Sequence, residues 1–274
     1  MYSPSKFARR IGNIGRPLPS PFPVFEAERT IFRYGATSMI AGQPGSFKSV
    51  LALNMAIYWA RQGLTVLYFS ADSDEYTVIK RISAMLTGVP EPEVEDDIIQ
   101  GKIRRYTREL SKTLGSVEFA YSDMDMEGIA RTCQTFEAVY GDYPSVIFID
   151  NLMDYVPGEG EWELMRNMTR ELDVLARQTK AHVCILHHVS EANARPDQPP
   201  ARKEIQGKIT QKPRLVLTVS AVGTFLKVAC VKNTNGPQDP TGKSWSPFTV
   251  TPSLQVVYSQ YTPDNSVSEL DSYE

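Results

Sequence analysis

The sequence predicts an α/β fold: a mainly parallel central sheet flanked by helices, with antiparallel strands added near the C-terminus. Three observations lead there. Short apolar runs alternate with amphipathic stretches of helical period from residue 30 to 251, the pattern of strand–helix–strand units. A glycine-containing loop joins the first such run to the first helical stretch, as in phosphate-binding α/β proteins. After residue 212 strand-like runs follow one another directly, split by turn-forming residues, which is how antiparallel strands read.

Taken along the chain, strands are expected at 38–41, 65–70, 117–121, 146–150 and 183–187, each rich in apolar and β-branched residues. Helices are expected between them at 49–61, 76–87, 127–140 and 162–179, where apolar residues recur at three- and four-residue spacing. The C-terminal strands fall at 215–220, 225–231 and 248–258, with a turn-rich stretch at 233–243. One domain therefore occupies 30–258. Before it, residues 1–29 form a basic, proline-rich arm. Lys6, Arg9, Arg10 and Arg16 precede the first acid, Glu26, and Pro17, Pro19, Pro21 and Pro23 alternate in an extended run. Phe7, Ile11 and Ile14 stand at helical spacing ahead of the prolines. The arm is either an amphipathic segment that docks on a neighbouring subunit or a frayed basic terminus. After the domain, 259–274 is an acidic tail with Asp264, Glu269, Asp271 and Glu274, either simply solvated or a docking tag.

Composition excludes several classes. Twenty-nine Lys and Arg against 32 Asp and Glu in 274 residues give a net charge of −3. That argues against a uniformly basic surface and turns attention to where the bases sit. No apolar run approaches the ~20 residues that cross a bilayer, and no secretory signal follows the basic N-terminus. A cytoplasmic protein with no membrane partner is expected. Cys133, Cys184 and Cys230 are widely spaced within apolar segments, the usage of a reducing compartment. His182, His187 and His188 lie close together, but no C-x-x-C or H-E-x-x-H spacing accompanies them.

The chemistry gathers at strand ends. Gly42, Gln43, Pro44, Gly45, Ser46, Phe47, Lys48 and Ser49 occupy the first strand-to-helix turn. Backbone N–H groups there converge with the positive end of the helix on anionic oxygens. Lys48 reaches the β- and γ-phosphates of a nucleotide, and Ser49 offers a hydroxyl to Mg²⁺. The pattern G-x-x-x-x-G-K-[ST] fails at one place, where Phe47 replaces the last glycine. Gly45 is expected to supply the backbone freedom instead. Asp72 ends the second strand run, at the sheet edge where α/β proteins bind ligands, and is the candidate to orient and deprotonate an attacking water. Asp74 and Glu75 read better as an acidic helix start. Asp150 closes the buried run 146–149 in the Walker B arrangement, in which a carboxylate holds Mg²⁺. His188, following His187, ends the fifth run on the same edge, within reach of a γ-phosphate.

Together these residues resemble the RecA-like P-loop NTPase core of DnaB-type replicative helicases and the related RepA-type plasmid helicases, over about 30–257. Lys48-Ser49-Val50-Leu51-Ala52-Leu53-Asn54 resembles the family's loop and first helix. Ser70-Ala71-Asp72 falls where the family has its catalytic glutamate, and Arg81 stands at the family's arginine nine residues later. Ile149-Asp150-Asn151-Leu152 is similar to its Walker B strand, and Leu186-His187-His188 to the RepA-type strand end. Lys232-Asn233-Thr234-Asn235-Gly236-Pro237 resembles the segment that reaches into the neighbouring subunit's ATP site.

The resemblance implies a hexameric ring that hydrolyses ATP with Mg²⁺ between subunits and moves on single-stranded or forked DNA. Lys48, Ser49, Asp72, Asp150 and His188 would act in cis and Lys232 in trans. Asp72 is one methylene shorter than the family's glutamate, and Thr234 occupies the position of its arginine finger. Slow turnover is expected, with Arg202 or Arg214 as substitutes. Two loops would face the DNA: 154–161, with Tyr155 and the adjacent Trp162 for stacking or core packing, and 190–208, with Arg195, Arg202, Lys203 and Lys208. The arm stands where the family has a primase-interacting domain, so replication partners are expected at the arm or the tail, in a phage or plasmid system. Two alternatives remain open. One is a metal-dependent, structure-selective nuclease built on Asp72, Asp74, Glu75, Asp150 and Asp154; the other is a weakly hydrolysing recombination or replication mediator.

Overall fold

The computed structural model describes residues 15–71, 73–121, 125–152, 161–189 and 197–259, with backbone alone at 114, 161, 206 and 208. Among them, strands β1 (Thr37–Gly42), β2 (Val66–Ser70), β3 (Val117–Ala120), β4 (Val146–Asp150), β5 (His182–His188) and β6 (Leu215–Val222) run parallel. Strands β7 (Phe225–Asn233), β8 (Ser246–Val250) and β9 (Val256–Tyr258) extend the sheet antiparallel. The spatial order is β3-β2-β4-β5-β1-β6-β7-β8-β9. This is the mainly parallel sheet with C-terminal antiparallel strands that the sequence predicts.

Alternation along each inner strand feeds two cores, because successive side chains leave opposite faces of the pleat. On β4, Val146 and Phe148 point to one core and Ile147 and Ile149 to the other. The first core is closed by helix α2 (Lys48–Arg61) through Leu51, Met55 and Trp59. The second is closed by α6 (Met126–Tyr140) through Ile129 and Phe136, and by α7 (Glu161–Thr179) through Met165 and Leu172. Register then sets the functional edge. Gly42 pairs with His188, and Ser70 with Asp150; Ile149 pairs with Ile185, so the four strands end on one edge with β1 and β5 reaching two residues further.

Three expectations need correction. Residues from 17 onward are not outside the domain: Leu18, Phe22, Val24 and Phe25 are buried in the first core. The proline run turns there into helix α1 (Pro23–Ala27), since proline is well tolerated in a helix's first turn. Phe22 and Phe25 meet Phe248 edge-to-face at 5.0 and 5.8 Å, and Trp59 Nε1 donates to the Pro19 carbonyl at 2.8 Å. Second, helices α4 (Glu91–Ile99) and α5 (Arg104–Leu114) follow α3 (Glu75–Thr87), where no elements were expected before β3. A polar network joins α4 to α5: Arg105 Nη1 and Tyr106 OH both donate to Asp97 Oδ2 at 2.7 Å; α3 meets them through Ala84 against Val94 and Tyr106 and through Lys80 beside Glu91 and Glu95. Third, the stretch 248–258 is two strands, not one, split by a turn at 251–255. No described helix is long and apolar enough to cross a membrane.

Candidate nucleotide-binding site

The loop after β1 is built around one carbonyl. Gln43 O accepts from Ser46 N at 3.2 Å, Ser46 Oγ at 2.7 Å and Lys48 Nζ at 2.6 Å. Gly42 has no alternative: a Cβ there would stand 2.6 Å from Ser46 Oγ and 2.7 Å from the Val219 carbonyl. Gly45 is left-handed, with φ 74°, as expected. Phe47 is too, with φ 59° and ψ 24° at the α2 N-cap. So the phenylalanine adopts the conformation for which glycine is suited, at a cost of about 1–2 kcal/mol. Its ring packs against the first core.

Beside the loop, Ser49 Oγ donates to Asp150 Oδ1 at 3.2 Å, and Tyr68 OH donates to Asp150 Oδ2 at 2.6 Å. Asp150 is only 3% exposed. Burial pushes the Tyr68 hydroxyl well above its ordinary pKa, and the Asp150 charge pushes it further, so Tyr68 keeps its proton and donates. On the far side of the edge, Asp74 caps α3 by accepting from Thr77 N at 2.7 Å. That bond holds its carboxyl below the usual range, which fits the helix-start reading. Arg81 Nη1 lies 3.3 Å from Ser73 Oγ.

These groups enclose a cleft of about 510 Å³ lined by residues 45–50, Ser73, Asp74, Thr77, Arg81, Glu91, His188 and Leu254. The structure thus brings Lys48, Ser49 and His188 together, with Asp150 bonded to Ser49. Asp72 lies outside the described residues. His187 faces the other core. Burial, with the nearby His188 and Lys48, pushes it down to about pKa 3, so it is neutral.

Two contributors escaped the sequence reading. Tyr68 looks like any strand residue. Leu254 sits in a turn clamped to α2 by Asn54, whose Nδ2 donates to Leu254 O at 2.9 Å and whose Oδ1 accepts from Val256 N at 3.1 Å. Pro252 was the available signal for that turn.

Lys232 is not in the cleft. It pairs with Val216, which pairs with Met39, three residues back along β1 from Gly42. Its Nζ donates to Thr210 O at 2.8 Å and Gln211 O at 2.9 Å. Arg202 and Lys203 line a second cleft of about 910 Å³ with Thr210, Gln211 and Lys243. Thr234 Oγ1 donates to Arg214 O at 3.0 Å. Trp162, 36% exposed, covers Gly207 so closely that a Cβ there would lie 2.5 Å from its ring. Arg195, Tyr155 and most of the loop 154–161 lie outside the described residues, as does the side chain of Lys208.

A mainly parallel RecA-like sheet, a phosphate loop after β1 and a buried aspartate ending β4 define a P-loop ATPase. The model of the AAA domain family AAA_25 matches residues 17–194, and the chain belongs to that family. It is 27% identical over 267 residues to the Gene 65 protein of Mycobacterium phage L5, covering 90% of this chain and 94% of that one. It is 28% identical over 229 residues to the Gene 65 protein of Mycobacterium phage D29, covering 76% and 92%. Its fold is similar to a solved ATPase domain, with TM-score 0.77, 15% identity, and 93% and 96% of the two chains covered. A DnaB-like replicative helicase gives TM-score 0.76 at 16% identity, covering 92% and 64%. A KaiC-like protein from Pyrococcus horikoshii gives 0.63 at 13%, covering 89% and 99%. The fold is that of DnaB-type helicase ATPase domains.

Proposed function

We propose that the chain is an ATP-dependent motor on single-stranded DNA, a DnaB-like replicative helicase core that hydrolyses ATP with Mg²⁺ between the subunits of a ring. The observation that carries this reading is the pairing of Ser49 with Asp150 beside the Lys48 loop. A hydroxyl and a carboxylate oxygen at 3.2 Å are hard donors of the kind Mg²⁺ takes. Bound there, Mg²⁺ would neutralise charge developing on the phosphates. Residues 42–49 hold the phosphates through backbone N–H groups. The Lys48 ammonium exchanges the Gln43 carbonyl for a phosphate oxygen. Asp72 orients the attacking water, and His188 meets the γ-phosphate and registers its loss. Lys232, remote from its own chain's cleft, serves the neighbour's.

The fold shared with DnaB-type ATPase domains supports the motor reading, and the phage relatives support a phage-infected cell as its cytoplasmic setting. Arg195, Arg202, Lys203 and Lys208 contact DNA phosphates from the segment 190–208. The arm and the acidic tail are the proposed docking points for replication partners, because the structurally similar DnaB-like helicase interacts with primase. The nuclease alternative draws no support from Asp74, whose carboxylate caps α3.

ATP turnover with and without single-stranded DNA tests the reading. DNA should stimulate turnover several-fold, and Lys48→Ala should abolish it. Equal rates with and without DNA would overturn the motor.

A further inference from the structure

The last described residue lies near a basic cleft. Ser259 N donates to the Pro247 carbonyl at 3.0 Å, so the chain leaves β9 beside the start of β8, the end remote from the nucleotide edge. Pro247 stands four residues after Lys243, at most about 14 Å of chain. One strand spacing of about 5 Å separates it from Ser259. Lys243 lines the 910 Å³ cleft with Arg202 and Lys203.

The backbone fixes the walls of that cleft. Arg202 N donates to Pro240 O at 2.9 Å, and Gln198 Nε2 donates to Thr241 O at 3.1 Å. Lys203 and Lys243 are exposed, and among the described residues neither forms an ion pair. Glu204 also lines the cleft, but its Oε2 accepts from Ala201 N at 2.6 Å.

The opposite charge follows Ser259 directly. Residues 260–274 carry Asp264, Glu269, Asp271 and Glu274 and no Lys or Arg. Extended, they reach up to about 50 Å, more than the distance to Lys243. A tethered segment meets a site on its own chain at millimolar effective concentration, which offsets the weakness of single exposed ion pairs.

We propose that residues 260–274 occupy the Arg202–Lys203–Lys243 cleft of their own chain and hold it against DNA. This rests on the reading that the segment 190–208 contacts DNA phosphates. Carboxylates and phosphates then compete for the same cations, so single-stranded DNA displaces the tail to bind. A protein partner that captures the tail removes the competitor, which links partner docking to DNA loading.

The full chain is compared with a variant carrying Asp264→Asn, Glu269→Gln, Asp271→Asn and Glu274→Gln, which leaves every described residue intact. At low salt the variant should bind a single-stranded oligonucleotide about tenfold more tightly, and the gap should narrow as salt screens the tail. A carbodiimide joins a carboxylate to an amine in contact with it. In the full chain it should link the tail to Lys203 and Lys243, and oligonucleotide should suppress those links. In mixtures of light and heavy-isotope chains the links should stay within one chain. Equal DNA affinity in the two proteins overturns the competition. Absent links, links to lysines remote from the cleft, or links between light and heavy chains overturn the seat. A gap in affinity without links means that the acids only repel DNA at a distance, which also overturns it. If neither protein binds DNA, the DNA reading fails and the competition with it, and links to Lys203 and Lys243 that persist tell this failure from a misplaced tail.

Discussion

Tyr68 donates its hydroxyl to Asp150 Oδ2 at 2.6 Å from the adjacent strand, leaving Oδ1 to Ser49. The carboxylate is therefore aimed by a buried residue that does not line the cleft. Tyr68→Phe keeps the ring stacked on Phe148 at 5.1 Å and removes only the donor. Loss of such a supporting hydrogen bond typically weakens metal binding about 10–100-fold. The Mg²⁺ concentration for half-maximal ATP turnover should rise at least tenfold in Tyr68→Phe, with folding retained. An unchanged Mg²⁺ titration would sink the assignment of Asp150 to the metal.

Phe47 gives a sign test for the loop. At ordinary helical positions glycine is less stable than alanine by about 0.5–1 kcal/mol. At φ 59° the order reverses, because alanine keeps a Cβ that opposes the left-handed region. Both substitutions lose the same ring contact with the core, so their difference isolates the backbone. Phe47→Gly should melt above Phe47→Ala and retain ATP binding. The opposite order would mean that the left-handed backbone is wrong.

How much of this was legible follows from the kind of contact involved. The edge carrying Lys48, Asp150 and His188 could be read because each residue ends or follows a buried apolar run, and strand ends in α/β sheets converge. Helices α4 and α5 could not. Of their apolar side chains Val94 and Tyr106 are fully buried, and Asp97 does much of the joining, so apolar periodicity has little to register. The proline run misled for a different reason. Phe22 and Phe25 are held by Phe248, more than 220 residues away in sequence, a contact absent from any local pattern. Tyr68 was invisible because a buried tyrosine on a strand is ordinary until its partner is known.

His182 should make the fold acid-sensitive. Its Nδ1 lies 2.9 Å from Arg33 O and its Nε2 2.8 Å from Ser38 Oγ. A carbonyl only accepts, so Nδ1 carries the proton and Nε2 accepts from the serine. Burial lowers the histidine to about pKa 4 from 6.5. The unfolded chain thus binds more protons below pH 6.5, and stability complete above that value declines as pH falls toward 4. The shift corresponds to about 3 kcal/mol. His182→Gln should be less stable than wild type near neutrality, yet lose less Tm on acidification. Parallel Tm losses in the two proteins would refute the linkage.

Lys232 sets the opposite limb. Its ammonium is the form that can meet a phosphate, and in the free chain burial and Arg202 bring its pKa to about 8. Raising the pH through 8 removes the proton, so kcat/KM for ATP should fall on the alkaline side with a bend there. A bound γ-phosphate favours the charged form and moves the bend in kcat to higher pH. The two profiles should therefore separate, kcat holding where kcat/KM has begun to fall. Lys232→Arg keeps the charge at every accessible pH, so its kcat/KM should lose the bend even if the absolute rate drops. Coincident wild-type profiles, or an unaltered bend in Lys232→Arg, would place the titrating group elsewhere.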